Sequence, residues 1–207
     1  MSEITAKDVA ALRQATGAGM MDAKRALEES GGDADRAKEI LREKGLADAK
    51  KRSGRTTEQG TIGHYLHFQA DRPVIGVLVE LASETDFVAK SEDFQAAAKD
   101  IAMHVAASRP RWTTRDEVPA DAIEKEKELI AAQARNEGKP DDVIDKIVDG
   151  KINSFYEDYV LYDQRFVNPE KFDGTVGEMV QSLAGTLGEN ISVSRFVRIG
   201  VGEDDES

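Results

Sequence analysis

The first sixty residues alternate short apolar stripes with stop signals, a pattern that predicts three short helices. Thr5, with an aspartate three positions on, resembles a capping box at the start of the first helix. Gly17 follows the first stripe and suits a left-handed helix end. Asp33 can cap the third helix, which we expect Gly45 to close. Residues 1–45 are therefore predicted to form a three-helix module with a very small core.

Residues 46–60 change from an apolar pattern to a charged one. The run Lys50-Lys51-Arg52-Ser53-Gly54-Arg55 is basic, and Thr and Gly residues follow it. This composition predicts a basic helical tail that passes into a linker. A functional basic patch is the alternative. Because so few charges cannot define a nucleic-acid site, a solvated linker is the better interpretation.

The next two apolar stretches predict a β-hairpin. Residues 61–69 alternate between apolar and polar positions, a turn sequence with proline occupies 70–73, and residues 74–81 are almost wholly apolar. The second strand is therefore apolar on both faces. Helices of the same domain can cover one face, whereas the other face needs a second sheet, which another chain can supply.

Beyond the hairpin the pattern returns to helices and ends in a strand. The apolar spacing predicts an amphipathic helix from Ser91, a helix over 121–136, one from Pro140 to Gly150, and a last helix after a capping box at Thr175. Residues 191–201 predict a third strand. The fold class is α+β, with the three-helix module joined to a small antiparallel three-stranded sheet packed with helices over residues 61–201. An acidic tail at 202–207 is expected to be frayed.

Charge and composition narrow the function classes. The 207 residues carry a net charge of −12, yet residues 1–55 hold twelve Lys/Arg against ten Asp/Glu, and the remainder hold sixteen against thirty. The acidic bulk argues against nucleic-acid binding, which needs a basic surface. The absence of cysteine excludes disulfides and thiolate metal sites. No signal-peptide pattern and no run near the ~20 apolar residues that span a bilayer are present, so we expect a cytoplasmic protein.

The sequence contains no familiar catalytic motif, neither a Walker loop, a dinucleotide fingerprint, a nucleophile elbow nor a zinc-protease motif. His64 and His67 lie two apart on a predicted strand but lack a nearby third ligand, so ordinary strand residues are the better interpretation. Glu84 and Asp86 could form a general acid–base pair, but close carboxylates are common in a chain with forty of them. A protein that acts by contact fits better than an enzyme.

Three places carry side chains whose environment the pattern leaves open. Residues 83–90 connect the second strand to the next helix and place Phe87 beside an aspartate; on composition alone, Phe87 is expected to fold back into the core. Met20 and Met21 are neighbours on a helix, so one of them is expected to face outward. His104 precedes an inward-facing valine and can be either solvated or in contact with a partner.

Two strings of sequence closely resemble the signatures of a known family. Residues 12–27 and 84–90 are similar to the two signatures of bacterial translation elongation factor Ts. Residues 101–108, the Phe166-Val167 pair and the string Gly188-Glu189-Asn190-Ile191 also match, in the right order over nearly the whole chain. The resemblance implies a guanine-nucleotide exchange factor for elongation factor Tu. Such a protein acts by contact, is not an enzyme, and needs no cofactor or metal of its own.

The resemblance also implies a role for each candidate residue. In the family the three-helix module is ubiquitin-associated-like and docks on the nucleotide domain of the GTPase. The loop enters near the magnesium site, where Asp86 and Phe87 would disturb magnesium coordination, and His104 matches a histidine that assists at that contact. The implied residues are Thr85, Asp86, Phe87 and Val88 for magnesium displacement in the partner, and Arg13, Met20, Met21 and His104 for partner binding.

The chain departs from the longer members of the family in two ways. They carry a second sheet subdomain, whereas this chain has a single hairpin and so resembles the short form, in which two chains pair through their sheets. The doubly apolar second strand agrees with such a homodimer. Arg165 stands where a proline is common, so we assign that connector no role. Competing hypotheses are an adaptor with an inert loop and a small hydrolase that uses Glu84 and Asp86.

Overall fold

The structure is a computed structural model that describes residues 4–203. Within that range it contains eight α-helices, one short 3-10 helix and three β-strands, none of the helices being long and apolar enough to cross a membrane. The elements are α1 (Ala6–Thr16), α2 (Met20–Glu29), α3 (Ala34–Arg52), β1 (Gln59–Gln69), β2 (Arg72–Ser83), α4 (Asp86–Ala89), α5 (Glu92–Ser108), α6 (Ala120–Asn136), α7 (Asp141–Tyr159), α8 (Val176–Leu187) and β3 (Ile191–Gly200). The predicted α+β class is confirmed.

The described chain divides into two compact units. The first holds the residues up to Thr61 together with Leu81–Gln95 and Val180–Ser192, and the second holds Ile62–Glu80, Ala96–Met179 and the residues from Val193 onward. The predicted boundaries at residues 45, 60 and 201 stay predictions. The expected frayed tail falls largely on residues 204–207, which lie outside the described residues.

The three-helix module of the first unit forms as the caps predicted. Thr5 and Asp8 make both bonds of a capping box at the start of α1, and Gly17 ends the helix with a φ of 69°. The side chain of Asp33 accepts two backbone N–H bonds at the start of α3. The module's small core consists of Val9, Leu12, Ala23, Ala26, Leu27 and Ala37, with Ile4, Ile40 and Leu41 packed against it.

Helix α3 continues through Gly45 to Arg52, so the prediction that Gly45 ends the helix is wrong. Gly45 faces Gly185 of α8 in the same unit, and a Cβ built on Gly185 would lie 2.9 Å from the backbone of Gly45. Glycine therefore allows two helices to cross closely here, instead of ending one of them. Residues 46–52, predicted as a basic helical tail, are the last two turns of this helix.

The three strands form one antiparallel sheet in the order β1-β2-β3. The hairpin turns at Ala70, which has a φ of 55°, and Val201 donates its backbone N–H to the oxygen of Val74 at 2.9 Å. Helix α5 covers one face of the sheet so closely that a Cβ on Gly63 would lie 2.2 Å from the Ala98 oxygen. The hairpin and third strand are where the pattern predicted them.

The opposite face of the sheet is apolar and exposed. Its large exposed apolar side chains, which we call the open sheet face, are Ile62, Leu66, Phe68, Leu78, Val197 and Ile199. Their exposed fractions range from 48% to 69%, whereas Val77 and Val79, which alternate with Leu78, are buried. A contiguous apolar surface of this kind in a folded chain usually marks an interaction site.

Helices α6 and α7 pack on each other as a helical hairpin in the second unit. The prediction that Gly150 ends a helix is wrong, because α7 runs uninterrupted to Tyr159. A Cβ on Gly150 would meet no atom of the described residues within 4 Å, so no contact in that part of the chain requires glycine at this position. Part of α7 contributes to a buried cluster: Val118, Ile152, Phe155 and Val160 are buried, with Trp112, Ala122, Ile123 and Tyr156 packed against them.

Candidate functional site

The connector that follows β2 is a single turn of helix and belongs to the first unit. Thr85 is the N-cap of α4, and its hydroxyl oxygen accepts a bond from the Val88 N–H at 3.4 Å. Lys90 closes the turn by donating its N–H to the Asp86 oxygen at 3.1 Å. The hydroxyl of Ser83, which is fully buried, donates to the Thr85 oxygen at 3.0 Å. The segment is therefore a fixed turn that presents its side chains in set directions.

Phe87 and Val88 point in opposite senses from this turn. Phe87 is 82% exposed, whereas Val88 is 6% exposed and Ala89 is also buried. Neighbours on a helix point about 100° apart, so Phe87 can face outward while Val88 and Ala89 are buried. The expectation from composition that Phe87 folds into the core is wrong. An exposed phenylalanine on an anchored turn can insert into a partner without first ordering its own backbone.

Both acidic groups of the connector are held as carboxylates. The Asp86 carboxylate bonds the ammonium of Lys90 at 2.6 Å, and this bond lowers the pKa of Asp86. The backbone N–H of Asn190 donates to Glu84 at 2.7 Å and is the main cause that lowers the pKa of Glu84, with Arg55 adding to it. A lowered pKa makes each group a poor general acid near neutral pH. The geometry thus disfavours the acid–base hydrolase hypothesis.

The connector is supported by two residues to which we assigned no role from the sequence. The carboxylate of Glu189 accepts the backbone N–H groups of Glu84 and Thr85, at 3.1 and 3.0 Å, and the hydroxyl of Thr85 at 2.5 Å. The side-chain amide of Asn190 donates to the backbone oxygens of Arg55 at 2.7 Å and Ser53 at 3.3 Å. The only signal for them in the sequence was their place in a string that matches the family.

The candidate residues of the three-helix module lie on its surface. Arg13 is exposed on α1, and Met20 and Met21 are 52% and 66% exposed at the start of α2. We expected one of the two methionines to face outward, and both do, since Met20 is the first residue of its helix and lies outside the module's core cluster. Flexible, polarisable methionine side chains suit an adaptable binding surface.

His104 is fully buried in the second unit, so it is not solvated. The backbone N–H of Val167 donates to Nδ1 at 3.1 Å, and Nε2 lies 2.9 Å from the side-chain oxygen of Gln164. The ring also stacks on Phe166, with 5.7 Å between centroids. Because Nδ1 accepts a bond, the proton of the neutral ring lies on Nε2. Burial lowers the pKa of His104, so the ring is neutral near pH 7.

The candidate residues are distributed over the two compact units. The segment from Thr85 to Val88 belongs to the same compact unit as Arg13, Met20 and Met21, whereas His104 belongs to the other. Residues 4–203 contain no group of three or more His, Asp or Glu side chains that could hold a metal ion. The surface can therefore present a phenylalanine, a carboxylate and two methionines to a partner.

Comparison with known proteins decides the family. The family model described as Elongation factor TS matches residues 49–203. The chain is 52% identical to Elongation factor Ts of Fervidobacterium nodosum over 201 residues, which is 97% of this chain and all of that protein. It is 50% identical to the proteins of the same name from Geobacter metallireducens and Thermosipho melanesiensis, over 97% of this chain in both cases and over 90% and 100% of those proteins.

The chain belongs to the elongation factor Ts family. The resemblance found in the two signature strings is thereby confirmed, and with it a role in translation elongation. Two of the relatives are matched over their whole length, which agrees with the short form expected from the single hairpin. Membership in a family of exchange factors also disfavours the hydrolase hypothesis.

Proposed function

We propose that this chain is a guanine-nucleotide exchange factor that binds elongation factor Tu carrying GDP and promotes release of the GDP in the cytoplasm. The observation that carries the proposal is the exposure of Phe87 at the tip of an anchored turn, in a chain of this family. A large apolar side chain that is 82% exposed gains free energy when a partner covers it. That gain is available to distort the partner.

The proposed mechanism acts on the partner's magnesium ion. In a GTPase, Mg²⁺ bridges nucleotide phosphates and protein oxygens and demands near-ideal octahedral geometry. Insertion of Phe87 would separate the elements around that ion, and the negative charge of Asp86 would disturb its coordination. Thr85 and Val88 contribute by fixing the turn from which these two side chains project. Loss of the magnesium contacts then weakens GDP binding without any covalent step.

The three-helix module supplies the second contact in this proposal. Arg13, Met20 and Met21 are exposed and would dock on the nucleotide domain, offsetting the free energy spent on distortion. His104 is buried, so its proposed contribution is to hold Val167, a residue 43% exposed, in place at the contact. Because linkage is reciprocal, a factor that weakens nucleotide binding is itself displaced by nucleotide. Excess GTP would therefore complete the cycle.

A homodimer formed through the open sheet face is part of the proposal. Besides its six exposed apolar side chains, this side of the sheet carries the exposed His64 and an ion pair between Arg195 and Glu80, whose charged atoms lie 2.7 Å apart. A second copy of the chain offers the same surface and would cover it by two-fold symmetry. A nucleic-acid partner is not part of the proposal, since the net charge of −12 opposes binding to phosphates.

The experiment is release of a fluorescent GDP analogue from elongation factor Tu. The double variant Asp86→Ala, Phe87→Ala is expected to lose most of the stimulation given by the wild type. The matched control is Asp121→Ala, Leu129→Ala, which removes an exposed leucine and an aspartate paired with a lysine four positions on, as Asp86 is. Equal stimulation by the wild type and the Asp86/Phe87 variant would support the adaptor hypothesis instead.

A further inference from the structure

The projecting turn depends on a cluster of hydrogen bonds that joins three separate stretches of chain. Glu189 and Asn190, in the short connection between α8 and β3, reach both the start of the turn and the end of α3. Glu189 and Asn190 lie more than a hundred residues along the chain from the groups that they bond. All belong to the first compact unit.

We propose that Glu189 and Asn190 are positioning residues for nucleotide exchange, which set the direction in which Phe87 projects. This inference rests on the proposed function and adds residues that touch neither the nucleotide nor, by the proposal, the partner. The string that contains them matches the family, but neither its composition nor its spacing indicated a role.

The Thr85 hydroxyl transmits the position of Glu189 to the turn. A hydroxyl has one proton to donate, and that proton goes to the Glu189 carboxylate at 2.5 Å. The lone pairs of the Thr85 oxygen are thereby directed toward the Val88 N–H, the bond that caps α4. Phe87 lies inside this capped turn. Removing Glu189 frees the hydroxyl to rotate and leaves two backbone N–H groups without their acceptor.

The supports on the two sides of the turn are reciprocal. Glu189 accepts from the backbone of Glu84, and Glu84 in turn accepts from the backbone N–H of Asn190 at 2.7 Å. The Asn190 amide then donates to the oxygens of Ser53 and Arg55, which follow directly on α3. The start of the turn is therefore held from both sides. The carboxylates of Glu189 and Glu84 are charged acceptors, and hydrogen bonds to charged acceptors are the stronger class.

Preorganisation gives this cluster a function beyond stability. A turn that is already ordered loses less conformational freedom when it inserts into a partner, so more of the binding free energy remains for distortion. If the cluster had only a structural role, its loss would lower the unfolding temperature and leave the rate of GDP release stimulated by the folded protein unchanged. If the cluster positions the turn, its loss would slow the GDP release stimulated by the folded protein and would expose specific backbone amides of the turn to hydrogen exchange.

The test compares variants of the full chain in two measurements. The first is release of a fluorescent GDP analogue from elongation factor Tu; the second is amide hydrogen exchange of residues 84–88 in the free protein. Glu189→Ala is expected to slow stimulated release about 10- to 100-fold, since charge-assisted bonds are lost, and to speed exchange of the Glu84 and Thr85 amides. Glu189→Gln is expected to stay within about fivefold of wild type, because its amide group can accept both N–H bonds and donate to the Thr85 hydroxyl.

Glu178→Ala is the matched control. Glu178 also accepts a backbone N–H, from Thr175 at 2.9 Å, in the cap of α8, and has no bond to the turn. It is expected to lose stability without losing stimulated release. If Glu178→Ala slows release as much as Glu189→Ala does, general destabilisation explains both and the inference is overturned. If Glu189→Ala does not fold, Glu189→Asp takes its place. The aspartate keeps the negative charge on a side chain that is one methylene shorter, so it is expected to slow stimulated GDP release and to expose the same amides.

The outcomes separate this inference from the proposed function. The positioning role would be overturned if Glu189→Ala stimulated GDP release as fast as the wild type while its Glu84 and Thr85 amides exchanged fast. The proposed function would still stand in that case if the Asp86→Ala, Phe87→Ala variant stimulated release poorly. Wild-type release by both variants would overturn the proposed function and the inference with it. Slow release by Glu189→Ala with protected Glu84 and Thr85 amides would also overturn the inference, since the turn would then be intact.

Discussion

Gly185 of helix α8 lies against the backbone of Gly45 in helix α3, and the contact is asymmetric. A Cβ on Gly185 would lie 2.9 Å from the Cα, carbonyl carbon and oxygen of Gly45. In the opposite direction, a Cβ on Gly45 would lie 3.7 Å from the Cα of Gly185, which is ordinary van der Waals contact. Both glycines lie within helices, but only one of them is required by the crossing.

The asymmetry predicts opposite effects of the same substitution. Gly185→Ala is expected to destabilise the protein by about 1–3 kcal/mol, because backbone atoms cannot yield to the added methyl group. Gly45→Ala is expected to be neutral or to stabilise by up to about 1 kcal/mol, the helix propensity that alanine gains over glycine. Denaturant unfolding measures both. Gly150→Ala in α7 is the control. A Cβ on Gly150 would meet none of the described residues within 4 Å, so this substitution measures the helix-propensity effect alone.

Substitutions of the adjacent residues Phe87 and Val88 are predicted to affect protein stability and stimulated GDP release to different degrees. Phe87→Ala is expected to change the free energy of unfolding by no more than about 0.5 kcal/mol, since the side chain is exposed. Val88→Ala removes buried methyl groups and is expected to cost about 1–3 kcal/mol. Phe87→Ala should reduce stimulated GDP release more than Val88→Ala does at a temperature where both variants are folded, because by the proposal Phe87 contacts the partner and Val88 acts only through the turn. A large loss of stability in Phe87→Ala would contradict the observed exposure.

His104 predicts a loss of stability in mildly acidic solution. Burial lowers its pKa below the ordinary 6.5, so the unfolded chain binds the proton more readily than the folded one. The stability contributed by neutral His104 is therefore complete above about pH 6.5 and is lost as the pH falls below that value. Protonation of Nδ1 would also break the bond from Val167. Thermal unfolding across pH 5–8 measures the effect.

His104→Asn is the control for that pH dependence. Its side-chain oxygen can accept the Val167 N–H in place of Nδ1, and it does not titrate. The variant is expected to be less stable at pH 8, because the bond to Gln164 is lost, and to show a flatter stability profile below pH 6.5. Parallel profiles for the two proteins would mean that other groups cause the acid sensitivity.

From the open sheet face we predict that the protein self-associates and that one charged substitution on this face abolishes the association. Leu78→Lys is expected to convert a dimer into a monomer, since a lysine on the paired face loses apolar contact and buries a charge that has no partner. Leu129→Lys is the control, because Leu129 is exposed to almost the same extent on α6, away from the sheet. Light scattering gives the masses. A monomeric wild type at micromolar concentration would contradict the dimer.

Local rules predicted the elements well, because caps and alternation act over a few residues. The capping box at Thr5 and the cap at Asp33 are present as expected, and so is the hairpin. Gly45 and Gly150 were wrongly predicted as helix ends for the same reason. A glycine in a helical pattern can end the helix or allow a close crossing, and the residue it faces is distant in sequence.

The site was predicted in part, and the missing part is its support. The resemblance directed attention to Asp86 and Phe87; Phe87 is exposed, and the role of both residues stays a prediction. Glu189 lies more than a hundred residues further along the chain, and no spacing rule links a glutamate to backbone N–H groups at that separation. Burial of His104 also escaped the pattern, because its neutral ring is satisfied by Gln164 and Val167, which the fold alone brings together.

The continuity of α3 has a consequence for how the two proposed contacts combine. The helix contributes Ala37 to the core of the module and ends next to Ser53, whose oxygen is bonded by Asn190. No flexible spacer intervenes, so binding of the module would present the Phe87 tip to the partner at a high effective concentration. The two weak contacts then act as a chelate. Flexible residues inserted after Arg52 would dilute the tip and lower avidity, even with every contacting side chain intact.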